Sequence, residues 1–377
     1  MLSTLASLFV VKLVPFIVSS GAFVFVLGAL VFVHEFGHFI VAKLVKVRVD
    51  VFSLGFGKTL WSFKKGDTEY RISMIPLGGY VKPAGENPEE ERKGEPWEFL
   101  SKTPGERAAI IAAGPLFNYI CAFLLLIMVY FSGVPNLTST IGMVKENYPA
   151  ATAGLKANDK IISVDGKQVK YWDELSAAIH AKTEEVPVEI QVQRLNEIFS
   201  ISLIPQVETV KTLLGEDKKI ALIGIGPSDD VEVIKYGFIG SISEAAKQVV
   251  FRTKMIFFAL YQMICGKISP REMAGPVGIF QITGRAAQLG FIYLLDLMAL
   301  LSINLAIINL FPIPVLDGGH LLFLAWEKIR GKQASLKVQE IATRIGFSML
   351  MLLMVLVLFN DLNRIGLFEK IFSFFVK

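Results

Sequence analysis

Four stretches of this chain stay apolar for as long as a bilayer is thick, and they constrain its fold more than any other feature. A helix needs roughly 20 mostly apolar residues to cross the hydrocarbon core. Spans are predicted at about 17–43, 108–131, 291–311 and 340–359. Lipid offers no partner to a free amide or carbonyl, so each span must be helical. Composition agrees: 53% of the 377 residues are hydrophobic and 19% are charged, too apolar for an ordinary soluble domain. Lys12 and Pro15 are expected to divide a short lead-in from the first span, and that run is too long for the h-region of a signal peptide. A fifth candidate, 244–264, contains Lys247, Arg252 and Lys254. Its period suits an amphipathic helix at the membrane surface or packed on the bundle.

The polar segments between the spans set the domain organisation. Residues 1–132 hold the first two spans, 133–228 a soluble domain, 229–290 the amphipathic helix and a linker, and 291–377 the last two spans. Within the first part, "TLWSFKKGDTEYRISMI" reads as two alternating strands turning around Gly66, while "PLGGYVKPAG" and "ENPEEERKGEP" read as loop. The stretch "YPAATAGLKANDKIISVDGKQVKYWDELSAAI" gives a small-residue turn, a short polar turn, a strand and a helix. That order resembles a PDZ domain, with Asn158-Asp159 where Gly-Asp is usual; one copy is visible. PDZ grooves take chain ends by strand addition, and here the groove is expected around 139–144. A steric gate suits the sequence equally.

Lys43, Lys46, Arg48, Lys102, Arg107, Lys328, Arg330, Lys332 and Lys337 flank one set of span ends, which places those ends in the cytoplasm and the PDZ-like domain outside it. The net charge of +4 is spread along the chain, without the basic block of a nucleic-acid binder. Cys121 and Cys265 each sit in an apolar segment and suggest neither a disulfide framework nor a zinc knuckle.

Inside the first span stands "VFVHEFGHFIVAKL". Ionisable groups at membrane depth cost several kcal/mol each and mark functional paths. His34 and His38, four apart on a helix, share one face and can ligate one Zn²⁺. Glu35 can sit beside the metal and take a proton from water; H-E-x-x-H with those roles is a metalloprotease signature. Catalytic zinc usually has three protein ligands. After the third span comes "NLAIINLFPIPVLDGGHLLF", where Pro312 and Pro314 must interrupt the helix. His34 lies about nine residues, about 14 Å, from the cytoplasmic end of its span, so Asp317 reaches a compatible depth if the broken segment dips back. Asp317 is therefore a third ligand, or else the N-cap of the helix beginning "GGHLLF". His320 reads as a structural histidine or one supporting the ligands. Asp296 lies near the outer end of its span, on the wrong side for the metal.

"HEFGH" and "NLFPIPVLDGGH", with "GPLFN" in the second span and "GPVGI" at 275–279, closely resemble the site-2 protease family of intramembrane zinc metalloproteases. Within it, the PDZ-like insert resembles the bacterial regulator-of-sigma-E branch, and the resemblance covers nearly the whole chain. It implies a polytopic α-helical membrane protein of four transmembrane helices with a membrane-associated β segment and one extracytoplasmic PDZ domain. It implies one catalytic Zn²⁺ on His34, His38 and Asp317, with Glu35 catalytic. Asn304 and Asn309 match two asparagines that hold the substrate backbone, and 51–82 matches a β segment that re-enters the membrane and pairs with substrate. Asn118, in "GPLFN", reads as structural, on the metal side of the bundle. The implied substrates are single-span proteins, such as anti-sigma factors or signal-peptide remnants, cut in the bacterial inner membrane with the active site toward the cytoplasm. Two other readings stand against this: a non-catalytic membrane PDZ-binding protein with a structural metal, and a metal-ion transporter. The transporter lacks an evident internal repeat.

Overall fold

The structure, a computed structural model, describes residues 2–87, 94–182, 186–211, 217–269 and 273–366. In chain order its elements are α1 (Leu2–Leu44), β1 (Val49–Lys65), β2 (Thr68–Pro83), α2 (Pro104–Ser132), β3 (Val134–Leu137), β4 (Ile141–Val144), α3 (Pro149–Thr152), β5 (Lys160–Val164), β6 (Lys167–Gln168), α4 (Trp172–His180), β7 (Val188–Arg194), β8 (Glu197–Leu203), β9 (Gln206–Lys211), β10 (Asp217–Leu222), β11 (Ile225–Pro227), β12 (Val231–Ile234), α5 (Phe238–Ile264), α6 (Pro276–Leu289), α7 (Phe291–Asn309), α8 (Asp317–Arg330) and α9 (Leu336–Arg364). The described residues of 1–129, 241–256 and 269–377 form one compact unit, and those of 130–240 and 257–268 another.

Four helices of the first unit are long and apolar enough to cross a membrane: Leu13–Leu44 of α1, α2, α7 and α9. The lead-in and the first span expected on either side of Lys12 and Pro15 belong to one helix, since α1 runs unbroken through Pro15. A proline costs its helix one backbone bond and some straightness, and in apolar surroundings the remaining bonds have no competitor. The expected amphipathic helix is α5. Its Arg252 donates to the Asp296 carboxylate of α7 at 2.5 Å and to the Asp296 carbonyl at 3.1 Å.

The stretch read as a linker contains α6. Its first amides are capped from far away: Gly275 and Gly278 N–H donate to the Asp361 carboxylate of α9 at 3.2 and 2.9 Å. Phe280 of α6 packs against Phe16 and Phe23 of α1, with ring centroids 6.0 and 5.6 Å away. A cap supplied from 83 residues downstream leaves no local signal.

β1 and β2 form a ribbon folded back on itself. Residues 51–54 of β1 pair with both 79–82 and 69–72 of β2, and 69–72 also pair with 61–64. The ladder thus runs 79–83, 49–54, 69–72, 61–65, with a two-residue turn at Gly66-Asp67 as expected. Gly55 and Gly57, at φ +94° and +86°, make the corner in β1. The stretch read as a "PLGGYVKPAG" loop is a correction, since β2 continues through it to Pro83.

In the second unit β6-β5-β7-β8 form one sheet, β4 pairs with β11, β3 with β12, and β9 with β10. Val188, Ile190 and Val192 of β7 alternate into a core shared with Ile141, Ile161 and Leu175. Asn158 takes φ +70°, a left-handed position that its short amide tolerates in place of glycine. A groove of about 230 Å³ lies between α4 and residues 222–226, and Met143 and Lys145 also line it. The groove expected around 139–144 is therefore built mainly by residues far later in the chain.

Candidate metal centre

Helical spacing on α1 brings His34 and His38 together, with ring centroids 4.8 Å apart and Nε2 atoms 3.3 Å apart. α2 supplies the neighbours. His38 Nδ1 donates to the Ile110 carbonyl at 2.8 Å. A carbonyl only accepts, so Nδ1 carries the proton and Nε2 presents its lone pair. The Asn118 amide lies 3.1 Å from His34 Nδ1. Gly114 leaves room for both rings: a Cβ there would run into His38 Nε2 and stand 2.8 Å from His34 Cε1.

Asp317 arrives by the broken segment. α7 ends at Asn309, prolines 312 and 314 keep the chain irregular, and Leu316 occupies the N-cap of α8 in an extended conformation. Asp317 is the first residue inside the helix, and its carboxylate faces the histidines. Oδ2 stands 3.1 Å from His34 Nε2 and 3.6 Å from His38 Nε2. The N-cap alternative is thereby set aside. Gly318 and Gly319 let this turn press onto 310–314, since a Cβ on either would meet the backbone of Leu310, Phe311, Ile313 or Pro314.

The three converging atoms are thus 3.1, 3.3 and 3.6 Å from one another. Ligands of a tetrahedral zinc with bonds of about 2.0–2.1 Å stand about 3.3–3.4 Å apart. Among the described residues no hydrogen bond reaches the buried Asp317 Oδ2, although an unpaired buried polar atom is costly. Two imidazole nitrogens and one carboxylate oxygen within 3.6 Å of one another fit a single divalent cation with a preference for nitrogen and oxygen. Among the described residues this is the one such cluster of three.

A cavity of about 570 Å³ opens beside the cluster. Glu35 lines it together with His34, His38 and Asp317. Asn309 also lines it, its amide nitrogen 3.5 Å from His34 Nε2. Asn304, half-buried on α7, is not among the lining residues. His320 faces the same cavity, beside the cluster.

Two walls of this cavity were not legible in the residues themselves, and only the family resemblance put the first of them in a β segment. One is β2 at Gly78–Val81: a Cβ on Gly79 would stand 3.2 Å from Glu35 Cγ, and the Val81 amide reaches the Glu35 carboxylate. Paired glycines inside an alternating run signal a close backbone approach without naming what approaches. The other is an ion pair between Arg107 of α2 and Glu327 of α8, at 2.5 Å, with side chains 5% and 15% exposed.

Residues 22–353 match the sequence profile of peptidase family M50. The regulator of sigma-E protease RseP of Escherichia coli is 32% identical, over 94% of this chain and 100% of that protein. The regulator of sigma-W protease RasP of Bacillus subtilis is also 32% identical, over 92% of this chain and 98% of that protein. Among solved structures, the PDZ domain of an SdrC-like protein of Listeria monocytogenes aligns at 26% identity and a TM-score of 0.20, covering 24% of this chain and 87% of that one.

Proposed function

The chain belongs to peptidase family M50, and we propose that this membrane metalloprotease hydrolyses peptide bonds within or near the transmembrane segments of single-span proteins. His34, His38 and Asp317 would hold one zinc ion in this reading. Held there, it would supply Lewis acidity that polarises the scissile carbonyl and makes water more acidic. Glu35 takes the proton from the attacking water and returns it to the leaving amine. One observation carries the proposal: three possible ligand atoms 3.1–3.6 Å apart, one of them a carboxylate oxygen with no hydrogen bond among the described residues, share a cavity with Glu35, which stands outside that cluster.

A transmembrane substrate helix bonds its own backbone and must unwind before its carbonyls can be attacked. The proposal gives the substitute partners to β2, whose residues 78–81 line the cavity at the outer edge of the ladder, and strand addition there places the unwound chain beside Glu35. The Asn309 amide, which both donates and accepts, holds the same backbone. A substrate role for Asn304 rests on the family resemblance alone. The ribbon spanning 51–82 re-enters the membrane in this reading, and its exposed Leu60, Trp61, Phe63 and Met74 support that.

Two of the relatives are named as regulators of sigma-E and sigma-W. Anti-sigma factors and signal-peptide remnants are accordingly the proposed substrates, cut in the inner membrane with the metal centre toward the cytoplasm. The PDZ domain, outside the cytoplasm, screens them. A non-catalytic protein with a structural metal has no use for Glu35.

The test is Glu35→Gln in lipid nanodiscs with a single-span test substrate. One zinc per chain should remain while cleavage is lost. Cutting at the wild-type rate would overturn the mechanism, and a zinc-loaded wild type that cuts nothing would favour the structural reading.

A further inference from the structure

α8 carries two stripes at helical period. His320, Phe323, Leu324 and Glu327 line the cavity beside the metal centre. Leu322, Ala325, Trp326 and Ile329 lie on the other side of the helix and are exposed. At 14 residues the helix is too short to cross a bilayer, so this stripe is not that of a span. Its last residues and the chain beyond, "KIRGKQASLK" at 328–337, hold four basic residues and no acid. Lys328, Arg330, Lys332 and Lys337 are all exposed. The acids on either side are engaged elsewhere: Glu327 with Arg107, and Glu340 with Arg344 at 2.8 Å. The Arg330 guanidinium lies over the Trp326 ring, 4.7 Å from its centroid, and so joins the apolar stripe to the charged end.

An apolar stripe that ends in four cations matches the level of a leaflet where acyl chains meet anionic phosphates. An acidic peptide would answer the charges and leave Leu322, Trp326 and Ile329 in water. A second copy of this chain, packed stripe to stripe, would bring four more like charges against the first four. We propose that α8 docks on the cytoplasmic leaflet, with Leu322, Trp326 and Ile329 among the upper acyl chains and Lys328, Arg330 and Lys332 on the phosphates of anionic phospholipids. The proposal rests on the reading above that this side of the bundle is cytoplasmic. Asp317 begins the same helix, about 20 Å from its charged end. The leaflet's hold on that end therefore sets the tilt and depth from which the Asp317 carboxylate reaches α1.

The experiment uses the full-length chain in nanodiscs of one fixed mixture of phosphatidylcholine and phosphatidylglycerol. Trp61→Phe, Trp97→Phe and Trp172→Phe leave Trp326 as the one fluorescent reporter, and bromine on the acyl chains of either lipid quenches it on contact. Mole for mole, labelled phosphatidylglycerol should quench at least about twofold more than labelled phosphatidylcholine. Arg330→Gln with Lys332→Gln should bring that ratio close to one while labelled phosphatidylcholine still quenches, which shows the helix in its seat. Lys43→Gln with Lys102→Gln removes as much charge from the other span ends of this side and should leave the ratio unchanged. A wild-type ratio of one overturns the proposal, and so does an equal fall in the Lys43/Lys102 variant, which assigns the effect to the charge of the whole side. Quenching by neither label overturns it too, because the stripe is then covered by protein. If the single-tryptophan chain does not fold, the phosphatidylglycerol retained per chain in detergent, counted by mass spectrometry, decides: a loss confined to Arg330→Gln with Lys332→Gln supports the proposal and any other pattern overturns it. None of these readouts needs catalysis. Labelling of Lys332→Cys from outside intact cells, in a chain freed of Cys121 and Cys265, would instead refute the assignment of sides beneath the proposal.

Discussion

Asp317 Oδ2 lies 3.1 Å from His34 Nε2, and among the described residues no hydrogen bond reaches that oxygen. The pair brings together a carboxylate and an imidazole from two helices that no local interaction joins. Removing any of the three converging groups should therefore release the ion. His38→Ala and Asp317→Asn are each expected to lower zinc affinity by more than about 100-fold, beyond the loss seen for outer partners. Elemental analysis after dialysis checks this. Full zinc content in Asp317→Asn would remove Asp317 from the centre.

The Arg107–Glu327 pair in the cavity wall is nearly buried. Glu327→Gln leaves an uncompensated guanidinium there and should cost about 3–5 kcal/mol of stability. Replacing both residues together by Met and Leu should cost far less, since buried pairs often break even with apolar substitutes. Thermal unfolding in detergent gives both values. Equal losses in the single and double variants would show that the pair's charges do not matter.

The strand edge at 78–81 yields a geometric test. In a chain freed of Cys121 and Cys265 and carrying Glu35→Gln, Tyr80→Cys should form a disulfide with a cysteine near the scissile bond of a bound substrate. Lys64→Cys, at the far end of the ladder, should not. Cross-linking of equal yield at both positions would mean that substrate does not lie along β2.

The soluble domain should respond to acid through Asp159. Burial alone would raise this carboxyl, but the Arg194 guanidinium, at 2.7 and 2.8 Å, and the Lys156 amide, at 2.8 Å, outweigh it and hold the carboxyl below its usual range. A group whose folded pKa is depressed stabilises the fold above its unfolded value, about 3.9, and that contribution fades as pH falls through the folded value. Protection factors of the β5 and β7 amides, with the intrinsic pH dependence of exchange divided out, should therefore be flat above about pH 5 and fall below about pH 4. Asp159→Asn should cost about 1–3 kcal/mol at neutral pH and flatten that acid dependence.

What the sequence disclosed, and what it withheld, follows from the range of the interactions involved. The spans follow from apolar length, and the His34–His38 pair from helical period. Asp317 was reachable because two prolines and two glycines announce a break at a compatible depth. The continuity of α1 through Pro15 was not reachable, because it depends on surroundings that offer its backbone no other partner. The cap of α6 by Asp361, the Arg107–Glu327 pair and the groove wall at 222–226 all join residues distant in the chain, and nothing beside them announces the partner. The "PLGGYV" strand was misread because its glycines look like a turn. Their role becomes visible only with Glu35 packed against them.

Gly318 and Gly319 have a last consequence. One methyl group on either would strike main chain of 310–314, and main chain cannot step aside as a side chain can. The two residues act as a gauge block between the bend and the carboxylate that follows Leu316. Even alanine at these positions should shift Asp317 relative to α1 while leaving every chemically active side chain in place, so that an intact set of working parts would be held out of adjustment.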